Sequence, residues 1–216
     1  MENFRHLYPR GQIFHIFNKS IASFKIFKNL EDKQRFINVL DYYNNAKISE
    51  SFSKFIKKET NFNCSCLLHI EKESIVKFLA YVIMPDHYHL LLKILKENHF
   101  LRFISNVENS YTRFFNLKYN RKGPLWQTSF KSVYISTNEQ LLHVSRYIHL
   151  NPTTSKLVAD PKNWKFSSYK KYLNKDILKN YLTEISINDP KYYQKFVKNH
   201  KDYQIKLKII KKLTLD

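Results

Sequence analysis

The chain has 216 residues, of which 43% are hydrophobic and 16% aromatic, which is enough to build one well-packed core. It carries 37 Lys and Arg against 18 Asp and Glu, and this net charge of +19 favours a polyanionic partner, nucleic acid above all. The two glycines, Gly11 and Gly123, are too few for a Gly-rich loop that binds nucleotide phosphates. We therefore expect no nucleotide cofactor.

The cysteine content and the hydropathy indicate the cellular environment in which the protein works. Cys64 and Cys66 are too few and too close together for a disulfide framework, which favours a reduced, cytoplasmic protein. Together with His69 they suggest a zinc site, although packing at a strand edge is the simpler interpretation. No stretch reaches the roughly 18 apolar residues of a membrane span, and the basic residues are spread along the chain. We expect no membrane partner.

The first half of the chain predicts a strand, a helix and a hairpin. Residues 12–18 are β-branched and aromatic, as in a strand, and apolar residues from 30 to 43 recur at helical spacing. Residues 44–77 are less regular, and we interpret them as an insertion with a short helix near Phe52 and a short strand from Cys66 to Ile70. Strands at 75–84 and 87–94, joined by Pro85-Asp86, form the clearest hairpin.

The second half predicts a helix from Phe100 to Leu117, a basic loop from Lys118 to Pro124 and a strand from 130 to 136. Thr137 and Gln140 have the spacing of a capping box and open another helix. We expect Asn151-Pro152 to end that helix, because the residue before a proline disfavours helical angles.

The order of elements predicts an α+β fold. Strand, helix, hairpin, helix, strand and helix give a ferredoxin-like split βαβ sandwich, with a mainly antiparallel sheet, helices on one face and the other face open to a ligand. Residues 1–173 would form the catalytic domain. Residues 174–216 are Lys-rich and helical in pattern, and we interpret them as a basic helical appendage.

A histidine pair lies on the second strand of the hairpin. His87 and His89 flank Tyr88, and side chains of a strand alternate, so both imidazoles leave the same face. Two neutral imidazoles in this position can share one divalent ion. The alternative is two surface histidines on a half-buried strand, since this spacing alone is common.

The stretch around this pair resembles a known motif. It is similar to the His-hydrophobic-His (HUH) motif of single-tyrosine transposases, and more narrowly to the REP-associated tyrosine transposases, with Asp86 in place of the usual Asn. Further segments resemble that family in the same order, and together they span roughly residues 10 to 172. The resemblance is carried by Tyr81–Leu92, Gly123–Gln127 with Phe130, Arg146–Pro152 and Asn163–Tyr169.

The resemblance implies a nucleophile and a metal site. Tyr147 would attack a phosphodiester of single-stranded DNA and leave a 5′-phosphotyrosine and a free 3′-hydroxyl. Asn151, one helical turn further on, would complete a Mg²⁺ or Mn²⁺ site with His87 and His89.

The residues themselves leave alternatives open. Tyr147 shares a helix face with His143 and Asn151. A phenol with a pKa of about 10 is a poor nucleophile unless a cation, a base or a metal assists it. Tyr147 is otherwise an ordinary packed aromatic, and Asn151 a residue that ends a helix. Tyr111 and Tyr134 are rival nucleophiles by residue type, while His143 and His149 are either helpers or solvated.

Basic and aromatic residues near the predicted loop are candidates for DNA contacts. Cationic side chains bind phosphates, and exposed aromatic rings stack on unpaired bases. Trp126 has a core position as its alternative, and runs of charge are often only solvated. The candidates are Arg113, Lys118, Arg121, Lys122, Trp126 and Lys131, with Phe130 as a second stacking ring.

The sequence therefore predicts a metal-dependent single-stranded DNA endonuclease and strand transferase that acts on hairpin or palindromic DNA. It would work as a monomer or a weak homodimer. One alternative is a catalytically inactive single-stranded nucleic-acid-binding protein of the same fold. Another is a phosphodiesterase that uses water, which would need more ligands near the histidines than Asp86 alone.

Overall fold

The structure is a computed structural model, and it describes residues 8–58, 72–174 and 189–199. The predicted strand from Cys66 to Ile70 lies outside the described residues, as do Cys64, Cys66 and His69. The strands are β1 (Ile13–Lys19), β2 (Val76–Ile83), β3 (His87–Ile94) and β4 (Lys131–Ile135). The helices are α1 (Leu30–Tyr43), α2 (Phe52–Lys58), α3 (Glu97–Lys118), α4 (Asn138–Thr154), α5 (Tyr169–Tyr172) and α6 (Pro190–Lys198).

Within the described residues, four strands form one antiparallel sheet in the order β2-β3-β1-β4. This is the strand order of a split βαβ fold, in which β1 lies between the hairpin and the last strand. The predicted α+β class with a mainly antiparallel sheet is confirmed. The register places Phe17 opposite His89 and His15 opposite Leu91, so β1 runs alongside the histidine pair.

One face of the sheet packs against α1 and α3. Alternate residues of β3 point to this face, and they join apolar side chains of both helices in a single core. Helix α1 begins in a complete capping box, in which Asn29 and Asp32 each bond the other's backbone. The rings buried in this core include Phe14, Phe36, Tyr88, Phe100, Phe103 and Tyr111.

The other face is partly covered, which corrects the expectation that helices lie on one face only. Helix α4 packs on β2 and β3 from this side, where Ile148 and Leu150 join Val82 and Leu91 in a second apolar cluster. Periodicity shows that α4 has an apolar stripe, but it does not specify which side of the sheet receives it. The remaining open part of this face is where the histidines lie.

Helix α4 also runs further than expected. It begins at the predicted cap, where the Thr137 hydroxyl accepts from the Gln140 backbone N–H at 3.1 Å. It continues through Pro152 to Thr154, so the expectation that Asn151-Pro152 ends the helix is wrong. A proline near the end of a helix removes one backbone donor, and here the last turn persists with bonds such as that from Ser155 N–H to the Asn151 carbonyl.

Helix α6 lies against α4 and buries Tyr193 and Val197 in the second cluster. The division of the chain at residue 173 stays a prediction. Among the described residues, no helix is both long and apolar enough to cross a membrane.

Candidate active site

A cleft of about 590 Å³ lies between the end of β1, the turn of the hairpin and α4. It brings together residues that are far apart in sequence, on the open part of the sheet face that α4 partly covers. The predicted site residues among its lining are His87, His89, Lys131, Tyr147 and Asn151, and Lys19, Lys25, Asp86 and Gln127 join them.

His87 and His89 lie side by side on β3, as the alternation of a strand predicts, with ring centroids 5.1 Å apart. Nδ1 of His87 lies 2.6 Å from Oδ1 of Asp86, the residue that immediately precedes β3. Burial by itself would raise the pKa of the Asp86 carboxyl, but the hydrogen bond and charge of His87, with Lys19, lower it below its usual value. Asp86 is therefore a carboxylate that fixes the ring of His87.

His15 is a member of this cluster that the sequence analysis missed. Its Nε2 lies 3.0 Å from Nδ1 of His89, and its ring stacks on Phe17 with centroids 4.9 Å apart. Burial lowers the pKa of His15 to about 4, so the ring is neutral at neutral pH. The available signal was a histidine inside an apolar strand, which sequence alone does not distinguish from a packed side chain.

Tyr147 projects from α4 into the cleft. Its ring meets His89 edge to face at 5.4 Å between centroids, and it is 42% exposed. Asn151, one turn further on, is buried and donates its amide N–H to the Tyr147 carbonyl at 3.0 Å. That bond orients the amide, and its oxygen is the atom of Asn151 suited to a hard metal ion. The structure thus brings Tyr147, Asn151 and both histidines to one cleft.

The rival tyrosines lie elsewhere. Tyr111 is fully buried and donates its hydroxyl to the Ile26 carbonyl, and burial raises its pKa well above the usual value. Tyr134 on β4 is opposite Phe14, whose side chain belongs to the core shared with α1 and α3. Tyr134 therefore stands on the sheet face away from the histidines.

Comparison with known proteins finds a family that part of the chain resembles. A model of the family described as IS200-like transposases matches residues 49–151, which include the hairpin and α4 up to Asn151. This part of the chain is therefore similar to the IS200-like transposases. It matches no curated protein.

A solved structure shows the same fold. The chain is similar to a REP-associated tyrosine transposase bound to a REP hairpin, with 16% identity and a TM-score of 0.55 over 82% of this chain and 88% of that one. A crystal structure from Deinococcus radiodurans, described as a transposase, has 15% identity and a TM-score of 0.36 over 68% of this chain and 95% of that one.

The basic residues that line the cleft are only in part those that the sequence predicts. Lys131 on β4 is exposed at the rim, as expected for a phosphate contact. Lys19 and Lys25 also line the cleft, and the sequence analysis missed them because they lie at and beyond the end of β1 rather than forming a run of charge. The rim therefore carries cationic side chains from both sides of the histidine pair.

Two cations of the predicted basic loop, Lys118 and Arg121, bind groups of the protein itself. Lys118 donates to Glu31 at 2.6 Å and to the fully buried Asp32 at 2.9 Å, so its charge is compensated within the fold. Arg121 donates to the side chain of Asn116 and to the carbonyls of Gly123 and Pro124, and it closes its own loop. These contacts engage Lys118 and Arg121 within the fold, and their predicted contacts with phosphates stay a prediction.

Two further candidates for DNA contacts are exposed but lie outside the cleft lining. Arg113 is on the outer side of α3, a helix that covers the sheet face opposite the histidines. Lys122 is at the tip of the loop. Their contribution to DNA binding stays a prediction.

Trp126 is partly buried against the core, and its predicted role as a stacking surface for bases stays a prediction. Its ring packs among Phe27, Phe36 and Tyr88, and its Nε1–H donates to the Glu108 carbonyl at 3.3 Å. Phe130 packs against the same core. Gln127, the next residue, turns outward and lines the cleft instead.

His143 and His149 have different positions on α4. His143 is half-exposed and contacts Arg146 at 2.7 Å. His149 is fully buried, with Nδ1 2.7 Å from the Tyr193 hydroxyl and Nε2 2.7 Å from the Ser168 hydroxyl. His149 is therefore neither solvated nor part of the cleft lining, and it links α4 to α6.

The donor set fits a six-coordinate divalent ion. In the part of the chain that the structure describes, no three His, Cys, Asp or Glu side chains gather as a metal site. His87, His89 and the Asn151 oxygen would hold such an ion on one side, and water and phosphate oxygens would complete its shell. Mg²⁺ and Mn²⁺ both accept this coordination, whereas a closed structural zinc site would need more protein ligands.

Proposed function

We propose that this protein is a metal-dependent single-stranded DNA strand transferase of the transposase kind that uses Tyr147 as its nucleophile. The observation that carries the proposal is the position of the Tyr147 ring against His89, in the cleft that also contains His87 and Asn151. A nucleophile, its metal ligands and a cationic rim then meet in one open cleft.

The reaction is a transesterification at phosphorus. The Tyr147 oxygen forms a bond to the phosphorus and loses its proton, while the bond from phosphorus to the 3′-oxygen breaks and that oxygen takes up a proton. The products are a 5′-phosphotyrosine and a 3′-hydroxyl. No water is consumed, so the reverse attack by a 3′-hydroxyl restores a phosphodiester.

His87, His89 and Asn151 would hold Mg²⁺ or Mn²⁺. Such an ion, when bound, polarises the phosphate and stabilises the charge that develops in the transition state. The chain's own contribution is positioning. Asn151 bonds the backbone of Tyr147, Asp86 fixes the ring of His87, and Lys131 and Lys25 stand at the rim where the DNA backbone would pass.

The proposed substrate is single-stranded or hairpin DNA. Two observations support it: the net charge of +19, and the fold shared with a transposase that was solved bound to a REP hairpin. The open cleft is also suited to an extended backbone rather than to a small molecule that it would enclose.

The experiment compares wild type, Tyr147→Phe and Tyr134→Phe on a labelled single-stranded hairpin in Mn²⁺. We expect a denaturant-resistant protein–DNA adduct with wild type and with Tyr134→Phe, and none with Tyr147→Phe. Only Tyr147→Phe removes the nucleophilic oxygen, and it leaves the ring in place. Peptide mapping should locate the adduct at Tyr147. DNA binding without any adduct in wild type would instead support an inactive binding protein, and cleavage without an adduct would support attack by water.

Metal dependence is tested on the same substrate. We expect EDTA to abolish cleavage by wild type and leave DNA binding nearly unchanged, because the cationic rim supplies the binding. Added Mn²⁺ should restore cleavage. Cleavage that persists in EDTA would contradict the metal-dependent mechanism.

A further inference from the structure

We infer that His15 is a positioning residue, which fixes the tautomer of His89 so that His89 presents Nε2 to the metal ion. The inference rests on the proposed function, because it assigns His15 a role toward a metal ligand. It assigns a role in the site to a residue on β1, a strand whose other contributions to the site are lining residues such as Phe17 and Lys19.

The geometry holds the two rings in one arrangement. His15 and His89 are diagonal neighbours on β1 and β3, since Phe17 is opposite His89 and His15 is opposite Leu91. Nε2 of His15 is 3.0 Å from Nδ1 of His89, and the rings are inclined by 26°. His15 is 8% and His89 6% exposed, so water has little access to compete for this bond.

The chemistry of neutral imidazole makes this bond selective. Each neutral ring carries one N–H, so one of the two facing nitrogens donates and the other accepts. If His89 donates from Nδ1, its Nε2 carries a lone pair and can bind a metal. If His15 donates, the proton of His89 must be on Nε2, and that nitrogen cannot be a ligand. Metal binding through Nε2 therefore requires His15 to be the acceptor.

The neighbouring histidine supports this assignment. Nδ1 of His87 faces the Asp86 carboxylate, which can only accept when ionised, so His87 also donates from Nδ1. Both candidate ligands then have the same tautomer, each held by an acceptor behind the ring. His87 is 21% exposed and has a carboxylate, whereas the more buried His89 has a neutral imidazole. A buried carboxylate would cost more to desolvate, which accounts for the difference.

The test uses a matched pair of variants. His15→Phe keeps a flat buried ring and removes the acceptor, whereas His15→Gln places an amide oxygen close to the position of the original Nε2. His99→Gln, on the exposed start of α3, controls for loss of a histidine as such. Thermal unfolding followed by circular dichroism confirms that each variant is folded.

Two measurements apply to the variants. In metal-free protein, long-range ¹H–¹⁵N correlation spectra report the tautomer of His89, and Mn²⁺ titration followed by electron paramagnetic resonance gives the metal affinity. We expect the Nδ1–H tautomer in wild type, a substantial Nε2–H population in His15→Phe and recovery in His15→Gln. The Mn²⁺ affinity should fall about 10- to 100-fold in His15→Phe, and much less in His15→Gln.

The outcomes separate the two proposals. An unchanged His89 tautomer and Mn²⁺ affinity in His15→Phe would overturn the role of His15 and leave the metal site intact. A wild-type protein with His89 in the Nε2–H form would also overturn it. Absence of Mn²⁺ binding in wild type would contradict the proposed function, and the tautomer spectra would still report on His15.

Discussion

Acidification is expected to weaken the fold, and the buried residue His149 contributes to this effect in a way that a single variant can isolate. Its ring is completely buried between α4 and α6, and both nitrogens are engaged, by the Tyr193 hydroxyl and the Ser168 hydroxyl. Burial lowers the pKa of His149 to about 3. The neutral ring is therefore part of the folded structure, and its protonation would place a charge among the rings of Tyr169 and Tyr172.

The direction and magnitude of this pH effect on the free energy of unfolding follow from proton linkage. A histidine in the unfolded chain has a pKa of about 6.5, so below that pH the unfolded state binds a proton that the folded state does not. The stabilisation is fully present above the unfolded pKa and is lost as the pH falls toward the folded value. Each pH unit in this window reduces the free energy of unfolding by about 1.4 kcal/mol, or about 2–3 kcal/mol between pH 6.5 and 4.5.

Urea unfolding at pH 7.5, 6.0 and 5.0 measures this effect in wild type and in His149→Gln. The glutamine keeps an amide that can contact both hydroxyls and does not titrate, so all other groups contribute equally to the two proteins. We expect the free energy of unfolding of wild type to fall more steeply below pH 6, by about 1.4 kcal/mol per unit relative to the variant. Parallel pH dependences would refute the reasoning.

Three further predictions concern charge and packing. Changing Lys25 and Lys131 together to Ala should lower the salt dependence of single-stranded DNA binding by about 0.7 for each phosphate that is no longer neutralised, about 1.4 in all. Changing Lys54 and Lys57, which lie outside the cleft lining, should leave it near wild type in titrations at several salt concentrations. Lys118→Met should lower the free energy of unfolding measured in urea by about 1–3 kcal/mol, because it leaves the buried Asp32 without that cation. An unchanged salt dependence of DNA binding in this variant would show that Lys118 serves the fold and does not bind phosphate. Trp126→Ala should lower the free energy of unfolding by about 3 kcal/mol, with little change in the DNA affinity of the folded protein. A loss of DNA affinity in the folded variant would show that Trp126 contacts DNA.

Periodicity predicted the sheet well, because local spacing determines which side chains share a face. The alternation around Tyr88 places His87 and His89 on one side of β3, and the structure has them there with Tyr88 in the opposite core. The turn at Pro85-Asp86 and the cap at Thr137 are equally local. The spacing of apolar residues does not specify on which face of the sheet a helix packs. The position of α4 therefore differs from the expectation.

Long-range contacts account for the parts of the site that sequence did not reveal. His15 and His89 are 74 residues apart and meet only because β1 pairs with β3 in one register. A shift by one residue would turn His15 to the other face of the sheet. Trp126 and Gln127 are adjacent in sequence, yet Trp126 packs against the core and Gln127 lines the cleft.

The net charge is a poor measure of the DNA-binding surface, because many cations of this chain serve the fold. Lys33 is buried and donates to the backbone carbonyls of Phe27 and Asn29, and the Arg146 guanidinium stacks on Phe196 at 4.2 Å. Such groups are already engaged within the fold and release no counterions when DNA binds. The salt dependence of binding should therefore reflect the few cations at the cleft, such as Lys25 and Lys131, rather than the excess of +19. Measured slopes would give the number of neutralised phosphates directly, which neither composition nor a run of basic residues can do.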